Sequence, residues 1–264
     1  MQVGFWARGA VRSSGLADLD YYLVPGLVRE EMGDSESFGG GQQLVELSGF
    51  GIPFDPPQHS LLSSHSPPRF EFGGRKFYAN DNLYMVTGSL PPGLGPSYDI
   101  ALASLLSADP NALVALVPDA AEMMLWNPPS SATGARLGPK QWCQRLLARI
   151  RSRIGDGDQH RAFIMKPLPA EERGQLLSIA ACVLEVGRGV EALEAVALGV
   201  PVVCVGGRGG LGCGVNRRVS GDVERLCVAD DDEGMGEKAA RIGMDAEARG
   251  RVVRELEGAR ELGR

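Results

Sequence analysis

The sequence predicts an α/β protein, a parallel sheet covered by helices, on three observations. From Leu83 to the C-terminus, short apolar runs rich in β-branched residues alternate with stretches of helical spacing. Between Ala181 and Val205 the alternation is sharpest: an apolar run, a glycine turn, one amphipathic helix and a second apolar run. The 264 residues are 44% hydrophobic, enough for a substantial core.

Taken in order, Met1 to Trp6 reads as a strand already in progress, so the chain is expected to enter its fold midway, with an upstream portion before it. Tyr21 to Val24 and Leu44 to Leu47 read as short strands, and the Pro- and Ser-rich stretch Pro53 to Pro68 as a linker. A boundary near residue 70 follows, dividing the chain into 1–69 and 70–264. Beyond it come Leu83 to Val86 (strand), Tyr98 to Ser107 (helix), Ala112 to Val117 (strand) and Gln141 to Ile154 (helix). Ala162 to Met165 (strand) and Ala170 to Ile179 (helix) continue the series. The charged tail reads as two helices, Glu233 to Gly243 and Asp245 to Leu262, with Asp245 as an N-cap. Gly39 to Gly41 and Asn127 to Gly138 read as surface insertions, and no internal repeat is evident.

The unit Ala181 to Val205 is the most informative. The strand ends at Gly187 to Gly189, residues able to take positive φ. Leu193, Val196 and Ala197 recur at helical spacing, and Gly199 and Pro201 stop the helix before the strand Val202 to Val205. Glu194 lies one turn inside. Such a unit presents a helix N-terminus and a carboxylate at a sheet edge, where phosphates and a ribose diol can be held. The same pattern also fits a plain βαβ packing unit with a solvated glutamate.

Composition narrows the partners. A net charge of −6 argues against a nucleic-acid binder, and Arg145 to Arg153 and Arg217 to Arg218 read as solvated helix faces. Cys143, Cys182, Cys204, Cys213 and Cys227 show no CxxC spacing and interrupt apolar runs. They are expected as reduced, buried thiols of a cytoplasmic or nuclear protein, without zinc. No apolar run approaches the roughly 20 residues that span a bilayer, and no signal-peptide pattern opens the chain, so no membrane partner is expected.

A second motif competes. Gly207-Arg-Gly-Gly-Leu-Gly212 is a GxGxxG match after a predicted strand, with Asp230 and Asp231 beyond the apolar run Leu226 to Val228. That combination imitates an NAD(P) fingerprint. The segment Val215 to Gly221 makes a poor amphipathic helix, so a flexible Gly-rich insertion is the plainer reading. His59, His65 and His160 are too separated for a metal site or triad, Trp6, Trp126 and Trp142 read as core or domain-edge residues, and Ser13, Ser14 and the Ser60 to Ser66 cluster show no nucleophile elbow.

Several segments together resemble the C-terminal catalytic region of the O-GlcNAc transferase family (glycosyltransferase family 41), its bacterial and SPINDLY-like members included. They are Gln2 to Trp6, Ser14 to Leu16, Asp20 to Leu23, Arg161 to Pro169, Leu176 to Leu184, Glu194 to Val203 and Ala239 to Asp245. Order and spacing agree over most of the chain. The resemblance implies the C-terminal, Rossmann-like half of a GT-B glycosyltransferase at 70–264, with a remnant of the N-terminal half in 1–69. It implies an inverting, metal-independent and cofactor-free transfer of N-acetylglucosamine from UDP-N-acetylglucosamine, or of fucose in SPINDLY-like members, to Ser or Thr of a protein acceptor.

Residue by residue, the resemblance puts Glu194 on the donor ribose and the loop Leu168, Pro169 to Arg173 beside the uracil. Gly189, Val190 and Glu191 stand where the family has a Gly- and Thr-rich turn that holds the diphosphate. Two hydroxyls are thereby lost and a charge is added: at an effective dielectric near 20, like charges about 4 Å apart repel by roughly 4 kcal/mol. The family's leaving-group lysine falls in Ser89 to Pro96, which contains no Lys or Arg, and the early loop Ala7 to Gly15 matches only at Ser14-Gly15. Most of the N-terminal half and the preceding superhelical repeats are absent from the given sequence. Two functional classes follow: a transferase weak or inactive as the isolated chain, or a noncatalytic domain that binds nucleotide sugar or another protein.

Overall fold

The computed structural model describes residues 3–5, 21–25, 43–47, 70–72, 75–77, 82–88, 95–118, 139–154, 160–165, 168–185, 191–208 and 210–262. Strands β1 (Val3–Phe5), β2 (Tyr21–Pro25) and β3 (Gln43–Leu47) form a parallel three-stranded sheet in the order β1-β2-β3. An antiparallel hairpin, β4 (Phe70–Phe72) and β5 (Arg75–Phe77), lies where the sequence suggested only a boundary. The linker Pro53 to Pro68 and the insertions Gly39 to Gly41 and Asn127 to Gly138 fall outside the described residues.

The main sheet contains β6 (Asn82–Gly88), β7 (Ala112–Pro118), β8 (Ala162–Ile164), β9 (Cys182–Glu185), β10 (Val202–Val205) and β11 (Val228–Ala229). All its pairings are parallel, in the order β8-β7-β6-β9-β10-β11. Counted from β6, this is the doubly wound order 3-2-1-4-5-6, with the switch point between β6 and β9. Burial on both faces explains the unbroken apolar runs: Tyr84 to Val86, Val114 to Leu116 and Cys182 to Leu184 are essentially inaccessible.

The helices are α1 (Pro96–Ala108), α2 (Pro139–Ile154), α3 (Ala170–Ser178), α4 (Glu191–Ala197), α5 (Leu211–Val219), α6 (Gly221–Cys227), α7 (Asp232–Met244) and α8 (Ala246–Leu262). Pro96 opens α1 with its φ already helical, and Ala101, Leu102, Leu105 and Leu106 bury one face. α4 ends at Gly199, whose φ of 76° lets the chain turn back, Val200 N–H donating to the Ala195 carbonyl at 2.9 Å. Asp231 caps α7 by accepting from Gly234 N at 2.8 Å, and Asp245 caps α8 as the sequence predicts, accepting from Glu247 and Ala248 at 2.9 Å.

At the amino end of the sheet Asp109, wholly buried, gathers three donors: Tyr84 Oη at 2.6 Å, Asn82 Nδ2 at 2.8 Å and its neighbour Asn111 N at 2.9 Å. Arg161, leading into β8, donates to the carbonyls of Asp109 and Leu106 at 2.8 and 2.6 Å. Burial and the Asp109 hydrogen bond push the Tyr84 phenol far above its ordinary range. This polar knot joins β6, β7 and β8 and leaves the opposite, carboxyl edge for a ligand.

Two readings need correction. Gly207 to Gly212 is no insertion: Gly207, Arg208 and Gly210 lie between β10 and α5, and Leu211 and Gly212 begin that helix, which is buried from Leu211 to Asn216. Asn216, inside the segment that makes a poor amphipathic helix, is buried and donates from Nδ2 to the Val202 carbonyl at 2.7 Å. Nor are all the described cysteines thiols. Cys204 and Cys213 form a disulfide with Cα atoms 5.9 Å apart, because β10 and the first turn of α5 lie side by side. Cys182 and Cys227 are free and buried, as expected of both.

Candidate functional site

In a doubly wound sheet, ligands bind beyond the carboxyl ends of the strands at the switch point. Here that point lies beyond Thr87 and Glu185, which are paired in the β6–β9 register. α1 and α4 return the chain to β7 and β10, so their N-termini face this edge, as does the β10–α5 turn.

The residues named from the sequence are distributed as follows. Arg173 on α3 and Glu194 on α4 meet, Arg173 Nη2 donating to Glu194 Oε1 at 2.8 Å, with both side chains about four-fifths buried (18% and 20% exposed). Leu168 is buried, while Pro169 is exposed as the N-cap residue of α3. Glu191 is the first residue of α4 and is buried, so it does not turn out to solvent. Gly189 and Val190 lie outside the described residues, as do 89–94 and the early loop Ala7 to Gly15.

Two features escaped the sequence reading. The first is Glu185, 6% exposed at the end of β9, whose carboxylate accepts from Gly212 N at 2.9 Å and Cys213 N at 3.3 Å. It thereby caps α5, where a negative charge meets the positive end of the helix dipole. Gly210 and Gly212 are required by this closeness, since a Cβ at either position would run into the Glu185 carboxylate. The amides that a dinucleotide pyrophosphate would use are thus held by a side chain, in a turn that follows the fifth strand of the doubly wound order rather than the first. An acid closing an apolar strand, ahead of a glycine-rich turn, was the available signal.

The second is a cluster around Arg208 in the β10–α5 turn. Its guanidinium forks onto the Asp232 carboxylate at the start of α7, at 2.8 and 2.7 Å, and lies over the Tyr98 ring, 5.4 Å from the centroid. Burial raises the Tyr98 phenol pKa, the nearby guanidinium working against it, while the Asp232 contact holds Arg208 firmly protonated. Tyr98 belongs to the first turn of α1, so the cluster spans from β10 to the entrance of α1.

Glu185, Cys204 and Cys213 place a carboxylate oxygen and two sulfurs within 4.8 Å of one another. Only after reduction would both sulfurs be thiolate ligands. Among the described residues no helix is long and apolar enough to cross a membrane.

No protein-family model matches the chain, and no curated protein matches it in sequence. Solved structures do match in fold. A Thermobaculum terrenum O-GlcNAc transferase superposes with a TM-score of 0.69 at 19% identity, over 97% of this chain and 43% of the other. A trehalose-6-phosphate synthase, OtsA, gives 0.55 at 13% identity over 91% of this chain and 56% of its own. S. aureus TarM, in a complex that includes UDP, gives 0.52 at 12% identity over 92% and 40%. The chain therefore spans about half, or less, of each of these structures. Its parallel six-stranded sheet, doubly wound and flanked by helices, is the Rossmann-like C-terminal half of the GT-B glycosyltransferase fold.

Proposed function

We propose that this protein binds a nucleotide sugar as the donor half of a glycosyltransferase, with UDP-N-acetylglucosamine as donor and Ser or Thr of a protein as acceptor. What supports the reading most is one placement: Glu194, with Arg173 against it, sits on the helix that leaves the β6–β9 switch point in a fold shared with an O-GlcNAc transferase. Glu194 accepts the ribose hydroxyls, Leu168 and Pro169 flank the base, and the turn through Gly189 and Val190 meets the diphosphate.

Glu191 works against the donor, because its buried carboxylate belongs to the residue that follows Val190 and opens α4. Titration calorimetry tests the site. Glu194→Ala should weaken UDP binding by about 10- to 100-fold, the value of a charge-assisted hydrogen bond, and Glu191→Thr should tighten it. Unchanged affinity in both variants, or tighter binding of NAD than of UDP, rejects the site.

The segment 89–96 offers no cation for the departing diphosphate, so a second behaviour is favoured for the chain as it stands: donor binding with little transfer. Losing about 4 kcal/mol of transition-state stabilisation costs roughly a thousandfold in rate. A radiolabelled transfer assay with UDP-N-acetylglucosamine and GDP-fucose over Ser/Thr-rich acceptors should show little product. Robust transfer abolished by Glu194→Ala would overturn this.

A further inference from the structure

We infer that Arg208 is the cation that receives the donor's diphosphate, and that Asp232 holds it in place and competes with the donor for it; the inference rests on the nucleotide-sugar reading above. A diphosphate at the switch point carries at least two negative charges into a partly desolvated crevice, and binding there needs a positive group in reach.

Arg208 meets that need by position. It leaves the carboxyl edge of the sheet in the turn after β10 and reaches Tyr98 in the first turn of α1, across the ends of β9 and β6 that border the switch point. Among the described residues, two other cations near this edge are committed differently. Arg149 lies 2.7 Å from the buried Asp99 carboxylate, and Arg173 is joined to Glu194, the group proposed for ribose.

The guanidinium is also suited by chemistry. Its side chain is 39% exposed, so solvent and a ligand reach it, whereas Asp232 is 12% exposed. The planar fork of its N–H donors, which already matches the Asp232 carboxylate, matches phosphate oxygens equally well. Stacking on Tyr98 and the fork on Asp232 orient the group before any ligand arrives, which lowers the ordering cost of binding. The Asp232 carboxylate keeps the resting site near neutral and must share the cation once the diphosphate enters.

An ordinary structural ion pair and an anion-binding arginine make opposite predictions for the two partners. UDP and uridine are titrated into the wild-type chain and into Arg208→Gln, Arg208→Lys and Asp232→Asn, by calorimetry for UDP and by NMR for uridine. Arg208→Gln should lower UDP affinity by about tenfold or more and leave uridine affinity unchanged, Arg208→Lys should fall between, and Asp232→Asn should raise UDP affinity. A purely structural pair would move Arg208→Gln and Asp232→Asn in the same direction, and that result overturns the assignment while leaving the donor site standing. So does an equal loss of UDP and uridine binding in Arg208→Gln. Failure of the wild-type chain to bind either ligand overturns both this assignment and the nucleotide-sugar reading.

Discussion

Removing the Glu185 carboxylate is the sharpest test of how this edge of the sheet is held. Glu185→Ala strips two amides, Gly212 N and Cys213 N, of their acceptor in a place where both residues are buried. A hydrogen bond to a charged group contributes about 1.5 to 3 kcal/mol, and an anion at a partly buried helix N-terminus up to about 2 kcal/mol. These overlap, because the same carboxylate makes all the contacts, so the expected loss is about 4 kcal/mol. With a urea slope of about 3 kcal/mol per molar, the midpoint should fall by roughly 1.3 M. Glu185→Gln keeps one acceptor oxygen and loses the charge, for about half the effect. Urea unfolding followed by far-UV circular dichroism reads both. A midpoint for Glu185→Ala within about 0.3 M of wild type would refute the claim that this carboxylate holds the α5 N-terminus.

Three further outcomes are expected. Tyr84→Phe removes the buried hydroxyl that donates to Asp109, so unfolding should show a loss of about 1.5 to 3 kcal/mol, and Asn82→Ala, at a part-buried contact, a smaller one. Alkylation of the unfolded, unreduced chain followed by peptide mapping should label Cys182 and Cys227 but not Cys204 or Cys213. In the folded chain Cys182 and Cys227 should resist labelling even at pH 9, since burial pushes the Cys227 thiol up to about 12 and Cys182 well above its ordinary value. The Asp245 carboxyl is held below its usual range by Ala248 N–H, and then by Glu247 N–H. Its cap therefore contributes fully above the ordinary carboxyl pKa and fades as pH falls through the lowered value, so Asp245→Asn should flatten part of the acid limb of the stability curve; an unchanged limb would count against the cap.

The sequence by itself determined most of the elements, because what makes a strand or a helix here is local; α5, α6 and the β4–β5 hairpin were not among them. Val202 to Val205 is a strand in both readings, Gly199 ends α4, Asp245 caps α8, and the alternation of runs implied a parallel sheet before any pairing was known. Spacing and capping are written within a few residues of one another, so they can be read along the chain. The tertiary structure decided everything that depends on which elements become neighbours. Glu185 reaches Gly212 across 27 residues, Arg208 reaches Asp232 across 24, and Arg173 reaches Glu194 across 21. Nothing in the intervening sequence specifies those partners; the strand order 3-2-1-4-5-6 does, by folding β9 beside both β6 and β10. The same holds for α5, whose end at Val215 to Val219 makes a poor amphipathic helix and whose buried Asn216 finds the Val202 carbonyl as acceptor only once the helix packs on β10. Cys204 and Cys213 likewise pair because α5 packs back along the strand that precedes it, a closeness their nine-residue separation allows but does not require.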